Sequence, residues 1–149
     1  MSLVIRNARS EDLAAIVAML ADDDLGRTRE APHNLEPYAE AFLQMQDDAR
    51  NCILVAEQDG AAVGCCQISF IRGLSRRGAT RALIEGVRVA TNARGSGIGE
   101  AMMRHAISMA KGKGCALVQL TSDKSRTRAH DFYERLGFKK FHEGFKLEL

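Results

Sequence analysis

Short β-branched apolar runs alternate along this chain with longer segments whose apolar residues recur at helical spacing. Val4-Ile5-Arg6-Asn7-Ala8 reads as a first strand. Ser10 then stands where a helix N-cap is expected, with Glu11 and Asp12 in the first turn. Leu13, Ile16, Val17 and Leu20 follow three or four residues apart and mark one buried face. Asp22-Asp23-Asp24-Leu25-Gly26 closes that helix, and the polar stretch to Pro37 reads as a loop. Residues 38–48 predict a second helix with Phe42 and Met45 turned inward. Cys52-Ile53-Leu54-Val55-Ala56 predicts a strand, Gln58-Asp59-Gly60 a hairpin turn, and residues 62–70 its antiparallel partner.

In the second half, Ala82-Leu83-Ile84-Glu85-Gly86-Val87-Arg88-Val89 reads as a strand. Leu83, Glu85, Val87 and Val89 are expected on one face, with Gly86 between them as where a strand bulges. The segment from Glu100 to Lys111 puts Met102, His105, Ala106 and Met109 on one helical face together with Ile98. Residues 116–120 predict another strand, and a helix carrying Tyr133 comes next. Residues 141–149 read as a closing strand or hairpin, with Phe145, Leu147 and Leu149 alternating with Lys146 and Glu148. Hairpins in the first half and a strand–helix–strand unit in the second predict an α/β fold: one sheet of mixed direction with helices on both faces.

Between that strand and helix lies Arg94-Gly95-Ser96-Gly97-Ile98-Gly99. Glycines let successive backbone N–H groups point outward, and a helix N-terminus adds unpaired donors and about half a positive charge. With Arg94 at the same turn, the stretch reads as a site for a phosphate or pyrophosphate. It is not a P-loop, because no lysine follows the glycines. It is not the dinucleotide fingerprint either: the position that needs glycine or alanine is Glu100 counted from Gly95, and Met102 counted from Gly97.

What remains is Arg-x-x-Gly-x-Gly, which resembles the acetyl-CoA pyrophosphate loop of the GNAT N-acetyltransferase superfamily. Further on, Ala129-His130-Asp131-Phe132-Tyr133-Glu134-Arg135-Leu136-Gly137-Phe138 is similar to the Ala-x-x-Phe-Tyr-x-x-x-Gly-Phe signature that closes the GNAT core. The order of elements matches over nearly the whole chain. The resemblance implies a GNAT fold, a mostly antiparallel sheet whose strand after the bulge splays from residues 116–120 to admit the pantetheine arm. It also implies acetyl-CoA as co-substrate, held by Arg94, Gly95, Ser96, Gly97, Ile98 and Gly99 and by backbone groups of Val87 and Val89. A backbone N–H near Val89 is then the expected donor to the thioester carbonyl.

Two side chains are candidates for proton transfer. Glu85 is an acid in an otherwise apolar strand, suited to deprotonate an ammonium or to pair with Arg88. Tyr133, a phenol with an ordinary pKa near 10, suits protonation of a thiolate leaving group; it also suits a core aromatic, and the surrounding motif favours the catalytic role. Where many family members have an asparagine, this chain has Arg126, with polar substitutes at Thr121, Ser122, Asp123, Lys124 and Ser125. Arg126 with the motif after it is similar to aminoalkylphosphonate N-acetyltransferases over the last third of the chain.

Composition narrows the partners. A chain of 149 residues with 46% apolar and 27% charged residues is expected to form a single domain over residues 1–149. A net charge of +2, with no basic helix or aromatic-interleaved patch, speaks against nucleic acid. The apolar runs are too short to cross a bilayer and no apolar signal segment opens the chain, so no membrane is expected and the cytoplasm is the expected location. Cys52, Cys65, Cys66 and Cys115 form no Cys-x-x-Cys pair and are expected to be reduced, and the histidines make no ligand spacing, so no metal is expected.

The expected function is transfer of an acetyl group from acetyl-CoA to a small primary amine by direct attack in a ternary complex. The alternatives are a protein N-terminus or lysine as acceptor, or a non-catalytic acyl-CoA-binding module. Four arginines at positions 72, 76, 77 and 81 lead into the strand of Glu85. Arg76 and Arg77 are candidate contacts for an anionic group on the amine, whereas Asp22, Asp23 and Asp24 favour a cation. The apolar face of the last strand makes a homodimer possible.

Overall fold

The computed structural model describes residues 2–149. Its centre is a sheet of five strands in chain order: β1 (Leu3–Asn7), β2 (Asn51–Gln58), β3 (Ala61–Arg72), β4 (Thr80–Val89) and β5 (Leu117–Leu120). β1 to β4 pair antiparallel, β1 reaching β2 through three helices and the later pairs through short connections. β4 and β5 are parallel, because a helix carries the chain back across the sheet between them. The Asp59-Gly60 turn places both residues at positive φ, 52° and 80°, the twist that a tight hairpin needs.

Five helices surround the sheet: α1 (Leu13–Ala21), the single turn α2 (Gly26–Arg29), α3 (Glu36–Gln46), α4 (Ile98–Gly112) and α5 (Thr127–Arg135). Met103, Ala106 and Ala110 of α4 pack on Leu54, Ile68 and Ile84, with Phe132 and Tyr133 of α5 beside them. On the opposite face Ile16 and Met19 of α1 meet Val55 and Cys65. The two middle strands are therefore covered on both sides, which is why Leu54-Val55-Ala56 and Cys65-Cys66 are apolar without alternation. The α/β architecture expected from the pattern is the one observed.

Three expectations need correction. Ser10 does not cap α1: Ser10–Asp12 forms a 3₁₀ turn, and the Ser10 hydroxyl bonds Glu11 at 3.1 Å. Asp12 takes the capping role in reverse, accepting from the Arg9 N–H at 2.7 Å while Arg6 forks onto it at 2.7 and 3.0 Å. The polar stretch before Pro37 is not all loop, since it holds α2, and α3 starts at Glu36 with the proline in its first turn, where its missing N–H costs nothing. The closing strand over residues 141–149 is absent, and that segment pairs with nothing in the sheet.

The Arg6–Asp12 pair has a measurable consequence. Its side chains are 16% and 10% exposed, and without Asp12 the sheltered Arg6 guanidinium keeps only Glu57, 3.0 Å away, as a carboxylate partner. The Arg6 guanidinium holds the Asp12 carboxyl below the usual carboxylate range; burial pushes the other way, and the Arg9 N–H reinforces the lowering. Asp12→Asn is expected to lower unfolding stability by about 2 kcal/mol at neutral pH, since Arg6 retains Glu57. A depressed carboxylate stabilises fully above the unfolded value near pH 4 and loses its effect as pH falls through the folded value. The gap between wild type and variant therefore shrinks below about pH 4 in urea titrations, and a gap unchanged from pH 7 to pH 3 would contradict the assignment.

Candidate active site

The site begins with one extra residue in β4. Gln67 of β3 faces Glu85, yet Cys65 faces Arg88, so β4 takes an additional step across Gly86, whose φ is 61°. An inserted residue reverses the alternation of side chains beyond it. Ala82 and Ile84 point toward α4, and past the bulge Val87 and Val89 do so as well. The expectation that Leu83, Glu85, Val87 and Val89 share a face is thus corrected: the valines join the α4 core, and Arg88 turns toward the Asp23 side.

At the same place β4 leaves β5. Their pairing runs from Arg81 with Leu117 to Ile84 with Leu120 and stops. The Ala90 N–H donates to Val63 O of β3 at 2.8 Å, so Val89 before it turns its N–H and carbonyl toward the opened edge. The Val87 carbonyl accepts from Arg88 Nη1 at 2.9 Å, and the Val89 carbonyl from Arg94 Nε at 3.1 Å. Two residues past the last pair, the Ser122 hydroxyl is buried and has no hydrogen-bond partner in the described structure.

The glycine loop continues from that edge. After a 3₁₀ turn over Thr91–Ala93, Gly95 and Gly97 take φ of 81° and 83°, and a Cβ on either would meet nothing within 4 Å. Both are required for conformation and leave open space over the N-terminus of α4. Gly99 differs: a Cβ there would make ordinary contact with Phe132 at 3.4 Å and Val89 at 3.6 Å, so this position faces the packed interior and not the open space. The Ile98 side chain is core, 2% exposed, leaving only its backbone for a ligand. Ser96 donates to Ala93 O at 2.5 Å, which tightens the turn. Arg94 stays half-exposed at the loop, and with Asn92, Ala93 and Ser96 it forms one wall of an open cleft whose other wall is the β2–β3 hairpin.

Tyr133 is half-buried on α5, with the ring of Phe132 5.1 Å away and that of Phe138 6.0 Å away. It packs against the same core as Val87. Burial raises its phenol above 10, against the charges of Arg126 and Arg88, which pull it down. Glu85 lies at the bulge and is exposed, so the burial expected of an acid in an apolar strand is not present. Cys65 and Cys66 are buried, which pushes both thiols up to about 12 and removes them as nucleophiles.

A splayed parallel pair, a glycine loop on a helix N-terminus and a tyrosine packed on the same core as Val87 invite comparison with known proteins. The family model of the acetyltransferase (GNAT) family matches residues 17–138. The chain belongs to this family. An uncharacterised N-acetyltransferase of Methanocaldococcus jannaschii is 35% identical over 88 residues, covering 58% of this chain and 38% of that protein. The glucosamine 6-phosphate N-acetyltransferase of Trypanosoma brucei brucei is 31% identical over 90 residues, covering 60% of this chain and 59% of that protein. The chain thus spans less than two thirds of either curated relative. A crystal structure of a transcriptional regulator from Bacillus halodurans matches with a TM-score of 0.96 and 45% identity, over 99% of this chain and all of the other.

Seen as a GNAT domain, the molecule pairs Arg88 with Asp23 and not with Glu85. Arg88 is 11% exposed and pairs through Nη2 with Asp23 at 3.1 Å, while its Nε is buried without a partner. Asp23 also accepts from the Gly26 N–H at 2.5 Å; burial raises its pKa, but that bond and the charges of Arg88, Arg126 and Arg29 outweigh it and hold the carboxyl low. Asp22 accepts from Thr91 at 2.5 Å and lies 3.9 Å from Arg94, and Asp24 reaches Arg27 at 3.5 Å. The three aspartates read earlier as bait for a cation are therefore engaged within the protein. A charge at a position flanking a bulge was the available signal for Arg88, and it needed the register to be seen.

Arg76 and Arg77 lie in the turn Ser75–Gly78 at the head of β4, exposed and at φ of 54° and 62°. Glu85 is five strand residues beyond Thr80, about 16 Å at the usual strand rise. Arg126 sits at the N-terminus of α5, on the helix of Tyr133.

Proposed function

We propose that the protein is an acetyl-CoA-dependent N-acetyltransferase acting on the primary amine of a small molecule by direct attack in a ternary complex. The observation that carries this reading is the opened edge of β4, which runs straight into the loop of Gly95 and Gly97 and lies over the core that holds Tyr133. An extended amide-containing arm fits beside Val87 and Val89 as an added strand, competing with Arg88 and Arg94 for their carbonyls. Backbone N–H groups at Gly95, Gly97, Ile98 and the start of α4 supply the anion site for a pyrophosphate, with Arg94 as an added cation and Ser96 shaping the turn. Of the polar candidates to replace the family asparagine that Arg126 displaces, the buried and unpartnered Ser122 hydroxyl is the one this reading selects.

The thioester supplies an activated acetyl group whose C–S bond breaks as the C–N bond forms. Glu85, directly or through water, takes the proton of the acceptor's ammonium and frees its lone pair. The Val89 N–H donates to the carbonyl oxygen, a contact of a kind worth about 3 kcal/mol. Tyr133 gives its proton to the departing sulfur and is reprotonated by the second proton, which the acylated nitrogen sheds as it becomes an amide. Its raised pKa keeps it protonated up to that moment.

Arg88 and Arg126, whose charges act on Tyr133, favour an acceptor that carries a carboxylate or phosphate besides its amine; Arg76 and Arg77 are more distant candidates for the same group. The Trypanosoma brucei brucei relative is named for such an amine. We further propose a cytoplasmic setting, in keeping with four free thiols.

Release of free CoA thiol across a panel of amines tests the reading. Turnover is expected with small amines that bear an anionic group, and Glu85→Gln lowers kcat/KM about 10²-fold, the low end for a general base because Glu85 is open to water. Acetyl-CoA binding with no thiol release for any amine would make the protein a binding module instead. Turnover confined to peptide N-termini or lysines would move the acceptor to proteins.

A further inference from the structure

Two arginines sit on the carbonyls that the donor arm needs, and they are unequal. Arg94 gives its Nε–H to the Val89 carbonyl at 3.1 Å from a half-exposed side chain. Arg88 gives Nη1 to the Val87 carbonyl at 2.9 Å, and its side chain is nearly buried. A donor seated along β4 displaces both. Its pyrophosphate, at the glycine loop, offers Arg94 a charged partner in exchange. The pantetheine arm is uncharged and offers Arg88 nothing of the kind.

Arg88 is also incompletely satisfied where it lies. Its Nε–H is buried and bonds nothing, and Asp23 Oδ2, 3.1 Å from Nη2, meets it as a charge without a hydrogen bond. Asp23 is itself fixed, because its Oδ1 accepts from the Gly26 N–H at 2.5 Å. A carboxylate or phosphate is best held by the fork of Nε and one Nη. Nε is closed to solvent in this pose, so an anion reaches it only after the guanidinium turns. The group is planar and moves as a unit, and the turn takes Nη1 off the Val87 carbonyl. Arg126 is near enough for its charge to act on both Asp23 and Tyr133, so an anion held here lies beside the reacting groups.

We infer that Arg88 is a specificity-determining latch, which withholds the Val87 carbonyl from acetyl-CoA until the carboxylate or phosphate of the acceptor draws it away. The inference rests on the proposed donor site and deepens it. A donor that binds only the unlatched fraction loses affinity by that fraction. One hydrogen bond from a charged group is worth about 10- to 100-fold in such an equilibrium. The acceptor's anionic group and the donor therefore strengthen each other's binding by the same factor. A neutral amine leaves the latch closed and meets a protein that holds less donor.

Calorimetry with an unreactive thioether analogue of acetyl-CoA tests this without turnover. Arg88→Met keeps the buried stem and removes the latch, and it is expected to bind the analogue about 10-fold more tightly than wild type. A merely structural role for Arg88 gives the opposite sign. Since that change leaves Asp23 unpaired, the double variant Asp23→Asn/Arg88→Met is measured beside it and should show the same gain. With wild type, phosphoethanolamine at about 10 mM should tighten the analogue by a similar factor and ethanolamine should not. Neither amine should act on Arg88→Met. Equal or weaker affinity in both folded variants overturns the inference, as does tightening by both amines alike or by neither. Weakening by phosphoethanolamine places its phosphate on the glycine loop and overturns it too. Wild type and variants that all fail to bind the analogue remove the donor site itself, a failure of the proposed function and not of the latch alone.

Discussion

Tyr133→Phe is expected to lower kcat by about 10³–10⁴-fold while leaving acetyl-CoA affinity within a few-fold of wild type. The effect belongs at the upper end for a general acid because the hydroxyl sits where water is scarce. Tyr133 is wedged between two aromatic rings and half-buried, so no solvent molecule readily takes over the proton delivery. Phenylalanine keeps the ring and its packing, which separates loss of the proton from loss of structure. The pH profile adds a second readout. Burial raises the phenol, so the alkaline decline of wild-type kcat should begin above pH 10, the ordinary tyrosine range. Single-turnover measurement with a good acceptor is required, so that chemistry and not product release sets the rate. A variant with wild-type turnover under those conditions would remove Tyr133 from the reaction.

Gly97→Val is expected to weaken acetyl-CoA binding by at least about 100-fold, equivalent to about 2.7 kcal/mol. Gly97 has a φ of 83°, a backbone state that a β-branched residue adopts only under strain of about 1–3 kcal/mol. A valine there relieves the strain by turning the peptide units on either side, and the N–H groups that face the open space above α4 turn with them. The fold should survive, because a Cβ at this position meets no atom within 4 Å and Ile98 anchors the helix start in the core. Calorimetric titration with acetyl-CoA, alongside a circular-dichroism melt, reads both effects. Unchanged affinity in a folded variant would place the donor site elsewhere. Gly99→Ala is the internal contrast: its Cβ would make only van der Waals contact with Phe132 at 3.4 Å, so affinity should stay near wild type.

Much of the molecule is legible in its residues because the deciding forces are local. The Asp59-Gly60 turn, the alternation of β1, the helical spacing of α1 and α4, and the glycine–helix junction each depend on neighbours within a few positions. The loop and the Tyr133 motif carried the family resemblance in the same way, and the family match confirms it. Ser10 and Asp12 mark where local reading fails. Both suit a helix start, and the choice between them was made by Arg6 on a separate strand, whose charge Asp12 neutralises.

The sequence by itself determined most of the elements, the α/β class, the family and the left-handed turns of the glycine loop, since these follow from spacing and from backbone conformations open to glycine. Only the tertiary structure decided what faces what. The extra residue at Gly86 turned Val87 and Val89 into the core and Arg88 toward Asp23, an outcome that depends on the register with β3 and not on the composition of β4. Asp22 and Asp23 were taken up by Thr91 and Arg88 on distant elements, which no local pattern announces, while Asp24 meets only Arg27 three residues on. The last residues have the alternation of a strand but no partner within their own sheet. Alternation states which faces a strand offers; whether an edge receives it is settled by where the rest of the fold puts that edge.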